Sequence, residues 1–205
     1  MDRRTLERRL EAVAGFEDPS AALEQYPTPP DVAAHFLHVA AMQGDLAGRT
    51  VVDLGSGTGV LALGAACLGP ERVVALERDP EAVATARENE ARVDPPVAVD
   101  WLRGDATRAP LPDDGLTVVA NPPFGAQDGA SGADRPFLAT ASRVARVSYT
   151  LHNAGSRDFV ESFAADNGGT VTHAFRVALA LDRQFPFHDA DRREVPALAV
   201  RVSWN

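Results

Sequence analysis

The chain contains no lysine. All 20 of its basic residues are arginine, and 29 acidic residues outnumber them, so the formal net charge is −9. A surface of this kind is typical of proteins from a salt-rich cytoplasm, and codon bias in a GC-rich genome is the alternative explanation. At molar salt, charges are screened beyond about 3 Å, so the negative charge does not exclude a nucleic-acid partner. Stacking and shape would then contribute more to such binding than phosphate contacts.

Cysteine and long apolar runs are also scarce. The single cysteine, Cys67, excludes an internal disulfide and a cysteine-based zinc site, and its apolar surroundings predict a buried core residue. No apolar run approaches membrane-spanning length, and the start of the chain lacks a signal-peptide core. His35 and His38 share a helical face without acidic or cysteine ligands nearby, so we predict no metal site. We expect a cytoplasmic protein that does not contact a membrane.

Strand and helix patterns alternate from Thr50 onward. Strands are predicted at 50–54, 72–76, 97–101, 116–120, 144–151, about 170–181 and about 195–204, and helices at 2–14, 31–43, 60–68, 80–92, 135–143 and 157–167. This alternation predicts an α/β fold with helices on both faces of a seven-stranded mixed sheet, whose last two strands are antiparallel. We expect one domain, 1–205, with an N-terminal helical extension at 1–45 and a core at 46–205.

A glycine turn, D-x-G-x-G-x-G at Asp53–Gly59, lies between the first strand and the next helix. Glycines let the backbone approach a ligand closely, and the helix N-terminus offers free N–H groups. Dinucleotide-binding proteins use G-x-G-x-x-G at this place. The variant with a preceding acid resembles the S-adenosylmethionine-binding turn of Rossmann-like methyltransferases, and a purely structural turn is the alternative.

Acidic residues follow the next two strands. Glu77 ends the second strand, where a carboxylate can accept hydrogen bonds from both hydroxyls of a ribose. Asp79 is better placed to be the N-cap of the next helix. Asp105 follows the third strand and could accept a hydrogen bond from an adenine amino group. Because acidic residues are common in this chain, Asp105 alone would be weak evidence for an adenine contact. Its position after the glycine turn and Glu77, at the end of the next strand, supports that assignment.

The tetrapeptide Asn121-Pro122-Pro123-Phe124 follows the fourth strand, at the end where open α/β sheets bind ligands. Asn121 Oδ1 and the Pro122 carbonyl are two acceptors, and Pro123 stiffens the turn. Phe124 offers a flat face on which a base can stack. These features fit a planar nitrogen that carries two hydrogens and is about to be alkylated. A simple turn is the alternative, and the cofactor motif upstream argues against it.

With these motifs, the chain resembles class I, Rossmann-like, seven-stranded methyltransferases. Its tetrapeptide is similar to that of enzymes that methylate adenine N6 in nucleic acids or glutamine N5 in release factors. Segments 23–28 (LEQYPT), 121–125 (NPPFG) and 149–152 (YTLH) resemble the methyltransferase-like protein five family and its archaeal relatives. Those enzymes methylate adenosine N6 in small-subunit ribosomal RNA. The similarity covers essentially the whole chain, and LEQYPT is far more specific than the glycine turn.

The resemblance implies S-adenosylmethionine as the cofactor and assigns residues to it and to methyl transfer. Gln25 and Thr28 would close over the cofactor, with Glu77 on its ribose and Asp105 on its adenine. The implied cofactor residues are Gln25, Thr28, Asp53, Gly55, Gly57, Thr58, Gly59, Val60, Glu77 and Asp105. The implied catalytic residues are Asn121, Pro122, Pro123 and Phe124.

The resemblance also implies a partner, a small zinc-ribbon activator protein that adds strands to the edge of the sheet. That edge is usually the third strand, so Val97, Val99 and Trp101 are candidate contacts. Packing of Trp101 in the core is the alternative. The family carries a lysine-rich stretch after a Phe-His pair, whereas Phe187-His188 is followed here by Asp-Ala-Asp-Arg-Arg. We therefore expect a weak contribution of this stretch to phosphate binding.

Further candidates for substrate contact lie in and near the family-like segments. His152 and His188 are among them, and Arg143 and Arg146 could reach phosphate, although exposed arginines are usually just solvated in such a chain. The predicted function is N6-methylation of an adenosine in small-subunit ribosomal RNA.

Three alternatives remain. A glutamine-N5 methyltransferase usually carries Tyr after the two prolines and lacks QYPT. A DNA adenine-N6 methyltransferase would need a target-recognition domain, and none is visible in this chain. A non-catalytic ribosome-assembly factor would not need both the tetrapeptide and the glycine turn.

Overall fold

Strands and helices alternate along the residues that the computed structural model describes, which are 1–20, 23–112, 115–124, 132–182 and 192–205. The strands are β1 (Thr50–Leu54), β2 (Arg72–Glu77), β3 (Val99–Arg103), β4 (Leu116–Ala120), β5 (Ala145–Asn153), β6 (Gly169–Asp182) and β7 (Arg192–Trp204). The helices are α1 (Arg3–Leu10), α2 (Pro30–Met42), α3 (Val60–Ala66), α4 (Pro80–Val93), α5 (Arg135–Val144) and α6 (Arg157–Asp166). None of these helices is long and apolar enough to span a lipid bilayer.

The strands form one sheet in the order β3-β2-β1-β4-β5-β7-β6. The pairs β1–β2, β2–β3, β1–β4 and β4–β5 are parallel, and β7 is antiparallel to both β5 and β6. The predicted mixed α/β fold is therefore confirmed. Because β1 lies between β2 and β4, the strand order reverses at β1, and ligands of such sheets bind at this reversal.

Helices cover both faces of the sheet. On one face, α1, α2 and α3 contribute to an apolar cluster that includes Leu37 and Leu63. On the other face, α5 and α6 contribute to a second cluster that includes Leu138 and Val160. Every residue of β4 is buried between these layers. A strand buried on both faces is nearly continuously apolar rather than alternating, and in β4 only Thr117 departs from this pattern.

The N-terminal extension packs against the core. Leu6 and Leu10 of α1 are fully buried in the cluster that α2 and α3 share. The helix predicted at 2–14 ends at Leu10 instead. Farther along, the backbone N–H of Ala14 donates to Asn89 Oδ1 of α4 at 2.9 Å, so a side chain replaces the helical carbonyl there.

The third strand begins later than predicted. β3 covers Val99–Arg103 rather than 97–101, because its register with β2 places Val99 opposite Val73, near the start of β2. Val97 therefore precedes the strand. β3 forms one edge of the sheet, as predicted, and β6 forms the other. The remaining strands and helices lie within a few residues of their predicted bounds.

Candidate functional site

An open cleft lies at the carboxyl ends of β1, β2 and β4. Each residue assigned to the cofactor lines it except Gly59, namely Gln25, Thr28, Asp53, Gly55, Gly57, Thr58, Val60, Glu77 and Asp105. From the tetrapeptide, Asn121 and Pro123 also line the cleft. Pro122 is buried, and Phe124 packs against the apolar cluster on the α2 and α3 face. The sheet thus brings together residues that are nearly 100 positions apart in the sequence.

The glycine turn has a backbone that favours glycine. The φ angles of Gly55, Gly57 and Gly59 are 73°, 53° and 93°, in the left-handed region that residues with a Cβ rarely adopt. Gly59 is also tightly packed, because a Cβ there would lie 2.6 Å from Trp101 Cη2. Gly59 therefore packs against Trp101 on the side of the turn away from the cleft, which explains why it does not line the cleft.

Glu77 holds the glycine turn against the end of β2. Its Oε2 accepts a hydrogen bond from the N–H of Gly57 at 2.8 Å. Its Oε1 accepts from the N–H groups of Arg78 and Asp79 at 2.7 and 2.9 Å. Sequence reasoning predicted only a ribose contact and missed this role. Because a carboxylate oxygen can accept more than one hydrogen bond, the same side chain can hold the turn and bind ligand hydroxyls.

Asp53 is fully buried at the bottom of the cleft. Its Oδ2 accepts a hydrogen bond from the N–H of Ala62 at 2.9 Å, and its Oδ1 has no partner among the described residues. Burial penalises the charged form and raises the pKa of Asp53 to about 8. The Ala62 hydrogen bond opposes this rise, and the charge of Glu77 adds to it. Near neutral pH the carboxyl group is mostly protonated and can donate a hydrogen bond.

Residues 23–28, which we call the strap, form one wall of the cleft. Gln25 Nε2 donates to Asp79 Oδ2 at 2.6 Å, and Gln25 Oε1 accepts from the N–H of Ser20 at 2.7 Å. The other oxygen of Asp79 accepts from the N–H of Glu81 and caps α4, as predicted. Both polar ends of the Gln25 amide are used within the protein. Gln25 therefore fixes the strap in place beside the cleft.

Asn121 follows β4 and reaches the strap. Its Nδ2 donates to Thr28 Oγ1 at 2.9 Å. Its Oδ1 is buried and accepts no hydrogen bond from the described part of the chain. Buried acceptors without partners are rare in folded proteins. An orphaned carbonyl oxygen at the wall of a cleft is therefore suited to accept a hydrogen bond from a ligand.

Asp105 caps the short turn that follows β3. Its Oδ1 accepts from the hydroxyl of Thr107 at 2.7 Å and from the N–H of the same residue at 2.9 Å. Both hydrogen bonds lower the pKa of Asp105, and the one from the hydroxyl has the larger effect. An ionised, exposed carboxylate beside the cleft can accept a hydrogen bond from an amino group. Its contact with adenine remains a prediction.

Comparison with known proteins identifies the family. Residues 28–156 match the family model described as "Methyltransferase small domain". The chain belongs to this family. It is 35% identical over 197 residues to the rRNA N(6)-adenosine-methyltransferase Mettl5 of Drosophila melanogaster, with 94% of this chain and 92% of that protein covered.

Two further relatives match this methyltransferase along nearly its full length. The rRNA N(6)-adenosine-methyltransferase METTL5 of Danio rerio is 36% identical over 209 residues, with 99% of each chain covered. A crystal structure from Pyrococcus horikoshii is 35% identical and has a TM-score of 0.90, with 100% of this chain and 98% of that chain covered. The resemblance found in the sequence and the predicted fold are both confirmed.

In this methyltransferase, His152 is not accessible to a substrate. It is fully buried, its Nδ1 lies 2.7 Å from Asp134 Oδ2, and its Nε2 lies 2.7 Å from Thr150 Oγ1. A hydroxyl, an imidazole and a carboxylate in series form a nucleophilic triad in hydrolases. Here Thr150 is only 1% exposed, so no substrate can reach its hydroxyl. Burial therefore rules out substrate contact, which was one candidate role for His152, and the side chain instead ties β5 to the residue before α5.

The two arginines considered for phosphate binding contact the protein instead. Arg143 donates to the carbonyls of Leu111 and Ala109 at 3.2 and 2.8 Å. Arg146 Nη2 pairs with Asp45 Oδ1 at 2.8 Å. Both side chains therefore hold parts of the fold together, which contradicts a role limited to a solvated face. Sequence reasoning missed Asp45, because no motif marks a lone acid between α2 and β1.

Trp101 packs inward rather than outward from the edge of the sheet. Its Nε1 donates to Glu90 Oε2 of α4 at 2.7 Å, and its ring lies against Gly59. Val99 is also buried, because alternate residues of a strand point to the same face. Core packing, the alternative for Trp101, is therefore found, and contact of a partner with this edge stays a prediction. Leu102, on the opposite face of the strand, is 46% exposed.

The other residues considered in the sequence are either buried or packed against the protein, or lie outside the described residues. Cys67 is buried, as predicted. His35 stacks on Phe175 with ring centroids 5.0 Å apart. Within the described ranges, no group of three or more His, Cys, Asp or Glu side chains could hold a metal ion. Phe187, His188 and most of the loop after the tetrapeptide, including Gly125, lie outside the described residues.

Proposed function

We propose that this methyltransferase transfers the methyl group of S-adenosylmethionine to N6 of an adenosine in small-subunit ribosomal RNA. The observation that carries the proposal is the buried Oδ1 of Asn121 beside the cleft, which accepts no hydrogen bond from the described residues. The names of the Drosophila melanogaster and Danio rerio relatives support rRNA and adenosine N6 as the target. We place its action in the cytoplasm.

The residues around the cleft fit S-adenosylmethionine. Gly55, whose φ angle is 73°, lines the cleft, and a residue without a Cβ lets a ligand approach the backbone closely. Glu77 is available to the ribose and Asp105 to the adenine amino group. Two further buried atoms without partners in the described part of the chain, Asp53 Oδ1 and Ser56 Oγ, lie at the same cleft. Polar atoms left unpaired by the protein are those that a polar cofactor would satisfy.

The chemistry requires positioning rather than a strong base. When bound, S-adenosylmethionine would supply an electrophilic methyl group, with S-adenosylhomocysteine as the leaving group. The N6 lone pair of adenine is conjugated with the ring, and the attacking nitrogen becomes acidic only as the new N–C bond forms. The proton can then leave to solvent. The protein therefore has to hold the nitrogen with its lone pair directed at the methyl group.

Asn121 and Pro122 position the target nitrogen. Asn121 Oδ1 and the Pro122 carbonyl accept the two N–H groups of the target and stabilise positive charge as it develops on nitrogen. Pro123 stiffens the turn that carries them, and Phe124 stacks on the base. Orientation of reactants can contribute roughly 7–11 kcal/mol to lowering a barrier. The target adenine has to be unpaired or flipped out of its helix to reach these groups.

We also propose that a small zinc-ribbon activator protein adds strands to the edge of the sheet at β3. β3 pairs with β2 on one side only, and an edge strand of this kind offers backbone N–H and C=O groups to another chain. Val99 and Trp101 point inward, so side-chain contacts would come from exposed residues of the opposite face, such as Leu102.

Transfer of labelled methyl groups tests the proposal. Total RNA, DNA and a release factor are each incubated with the protein and labelled S-adenosylmethionine at molar KCl, with and without the zinc-ribbon protein. We expect label in small-subunit rRNA, recovered as N6-methyladenosine after digestion. Label in the release factor or in DNA would support one of the alternatives. Cofactor binding without any transfer would favour a non-catalytic assembly factor.

A further inference from the structure

We propose that Thr28 is a positioning residue that orients the amide of Asn121, so that Oδ1 rather than Nδ2 faces the cleft. This inference rests on the proposed function, in which Oδ1 accepts an N–H of the target amine. The resemblance to known methyltransferases implied only that Thr28 closes over the cofactor. The hydrogen bond from Asn121 Nδ2 to Thr28 Oγ1, 2.9 Å long, gives Thr28 a different role.

The two ends of an asparagine amide have nearly the same shape, so its orientation decides only which chemical group faces the cleft. One end is an acceptor, and the other carries two donor hydrogens. If Nδ2 faced the cleft, its hydrogens would point at the hydrogens of the target amine, and the hydrogen bond needed for transfer could not form. With Nδ2 bound to Thr28, Oδ1 is left as the buried acceptor without a partner in the described chain.

Thr28 is well held for this task. It lies between Pro27 and Pro29, and a residue that precedes proline is restricted to extended conformations. The same strap is anchored by the 2.6 Å hydrogen bond from Gln25 to Asp79. Thr28 is only 5% exposed, so water competes little for its hydroxyl. The strap therefore holds one hydroxyl at a fixed place beside Asn121, where its oxygen accepts from Nδ2, and links the cofactor side of the cleft to the catalytic turn.

A pair of substitutions separates the hydroxyl from the shape of the side chain. Thr28→Val keeps the shape and removes the hydroxyl, and Thr28→Ser keeps the hydroxyl. We expect Thr28→Val to lower kcat at least about tenfold, as loss of one transition-state hydrogen bond does. The KM for RNA and the Kd for S-adenosylmethionine should change less than about twofold. Thr28→Ser should restore most of kcat.

Thr117→Val is the matched control. Thr117 is also buried and its hydroxyl also makes one hydrogen bond, to the carbonyl of Asp45 at 2.6 Å, at the opposite end of β4. This variant should lose stability and keep its kcat. A Thr28→Val protein that loses cofactor affinity while keeping kcat would overturn the proposal, because Thr28 would then act on the cofactor alone.

A double-mutant cycle tests whether Thr28 acts through Asn121. Asn121→Asp places two equivalent acceptor oxygens at the same position, so the orientation of the group no longer matters. We expect Thr28→Val to cost much less than tenfold in kcat in this background. An equal cost in both backgrounds would contradict the proposed coupling.

A measurement without substrate keeps this inference separate from the proposed function. In ¹⁵N NMR spectra, the side-chain amide hydrogens of Asn121 should exchange slowly with solvent in the wild type and in Thr28→Ser. In Thr28→Val they should exchange faster, while the side-chain amide of the exposed Asn153 stays unchanged. This result holds whatever substrate the protein methylates. Equal exchange at Asn121 and Asn153 in the wild type would overturn the proposal.

Discussion

At the scale of single residues, buried polar atoms without partners mark the cleft. Four such side-chain atoms occur in the described part of the chain, and Asp53 Oδ1, Ser56 Oγ and Asn121 Oδ1 are three of them. All three belong to residues that line the cleft. The fourth, Arg146 Nε, belongs to the ion-pair cluster at Asp45. Because an unsatisfied buried group costs free energy, this concentration at one place points to a polar ligand.

Replacement of Asn121 tests the catalytic assignment. We expect Asn121→Ala to abolish methyl transfer while leaving the Kd for S-adenosylmethionine nearly unchanged, because the amide acts on the target amine. Single-turnover methylation and calorimetric titration of the cofactor measure the two effects. Asn153→Ala, at an exposed position, is the control and should be fully active. Equal loss of transfer and of cofactor binding would disprove this assignment.

Replacement of Asp53 tests the effect of its burial on stability. Its pKa rises from 3.8 in the unfolded chain to about 8 in the fold, so the folded state binds this proton more tightly. The resulting stabilisation is fully present below about pH 4 and is lost as the pH rises through about 8. Asp53→Asn stays neutral and can keep the hydrogen bond to Ala62. The free energy of unfolding of Asp53→Asn should therefore rise relative to that of the wild type as the pH increases from 5 to 8.

Denaturant unfolding of both proteins across this pH range measures the difference. Groups that titrate elsewhere in the protein affect both variants alike and cancel in the comparison. Curves that run parallel from pH 5 to pH 8 would show that the Asp53 carboxyl ionises normally in the folded protein.

At the scale of elements, the glycine turn, α4 and β3 form one packed unit. Glu90 of α4 accepts from the N–H of Val99 at 2.8 Å and from Trp101 Nε1 at 2.7 Å. Trp101 in turn packs against Gly59 at the start of α3. The edge strand proposed to bind a partner is therefore in direct contact with the back of the glycine turn.

Two glycine substitutions separate backbone strain from crowding in this unit. Gly59 and Gly44 both have left-handed φ angles, 93° and 72°, but a Cβ at Gly44 would meet no atom within 4 Å. Gly44→Ala should cost about 1–2 kcal/mol of stability from its backbone conformation alone. Gly59→Ala should cost more, because Trp101 would have to move. Thermal and denaturant unfolding measure both, and equal costs would argue against tight packing behind the turn.

Most element boundaries could be predicted, and β3 shows where prediction fails. β1 and β4 are short, largely apolar runs between turn-forming residues, so their bounds follow from the chain itself. The bounds of β3 depend on which residue pairs with Val73 of β2, and this register is a long-range property. The same dependence explains the inward direction of Trp101.

At the scale of the whole molecule, an ionic cluster ties together the end of the sheet opposite the cleft. Asp45 is almost fully buried and accepts hydrogen bonds from Arg146, Tyr149 and Arg201 at 2.7–2.8 Å. Burial alone would raise the pKa of Asp45, but these hydrogen bonds outweigh it and lower the pKa. The cluster connects the segment before β1 with β5 and β7.

Removal of Asp45 should destabilise the whole protein. Asp45→Ala leaves the largely buried Arg201 without its carboxylate, and loss of one member of a buried pair costs about 3–5 kcal/mol. The expected result is a lower denaturant midpoint with an unchanged Kd for S-adenosylmethionine per folded molecule. As a control, Asp100→Ala breaks the exposed pair with Arg72 and should cost about 1 kcal/mol or less. Similar costs for both would show that the Asp45 cluster contributes little.

The sequence by itself determined the α/β fold, the glycine turn and the tetrapeptide, because each is encoded in a short run of adjacent residues. Only the tertiary structure decided that Thr28 meets Asn121, that His152 is enclosed by Asp134 and Thr150, and that Trp101 turns inward. These contacts join residues from different elements. Their partners are selected by sheet register and helix packing, which arise only when the whole chain is folded.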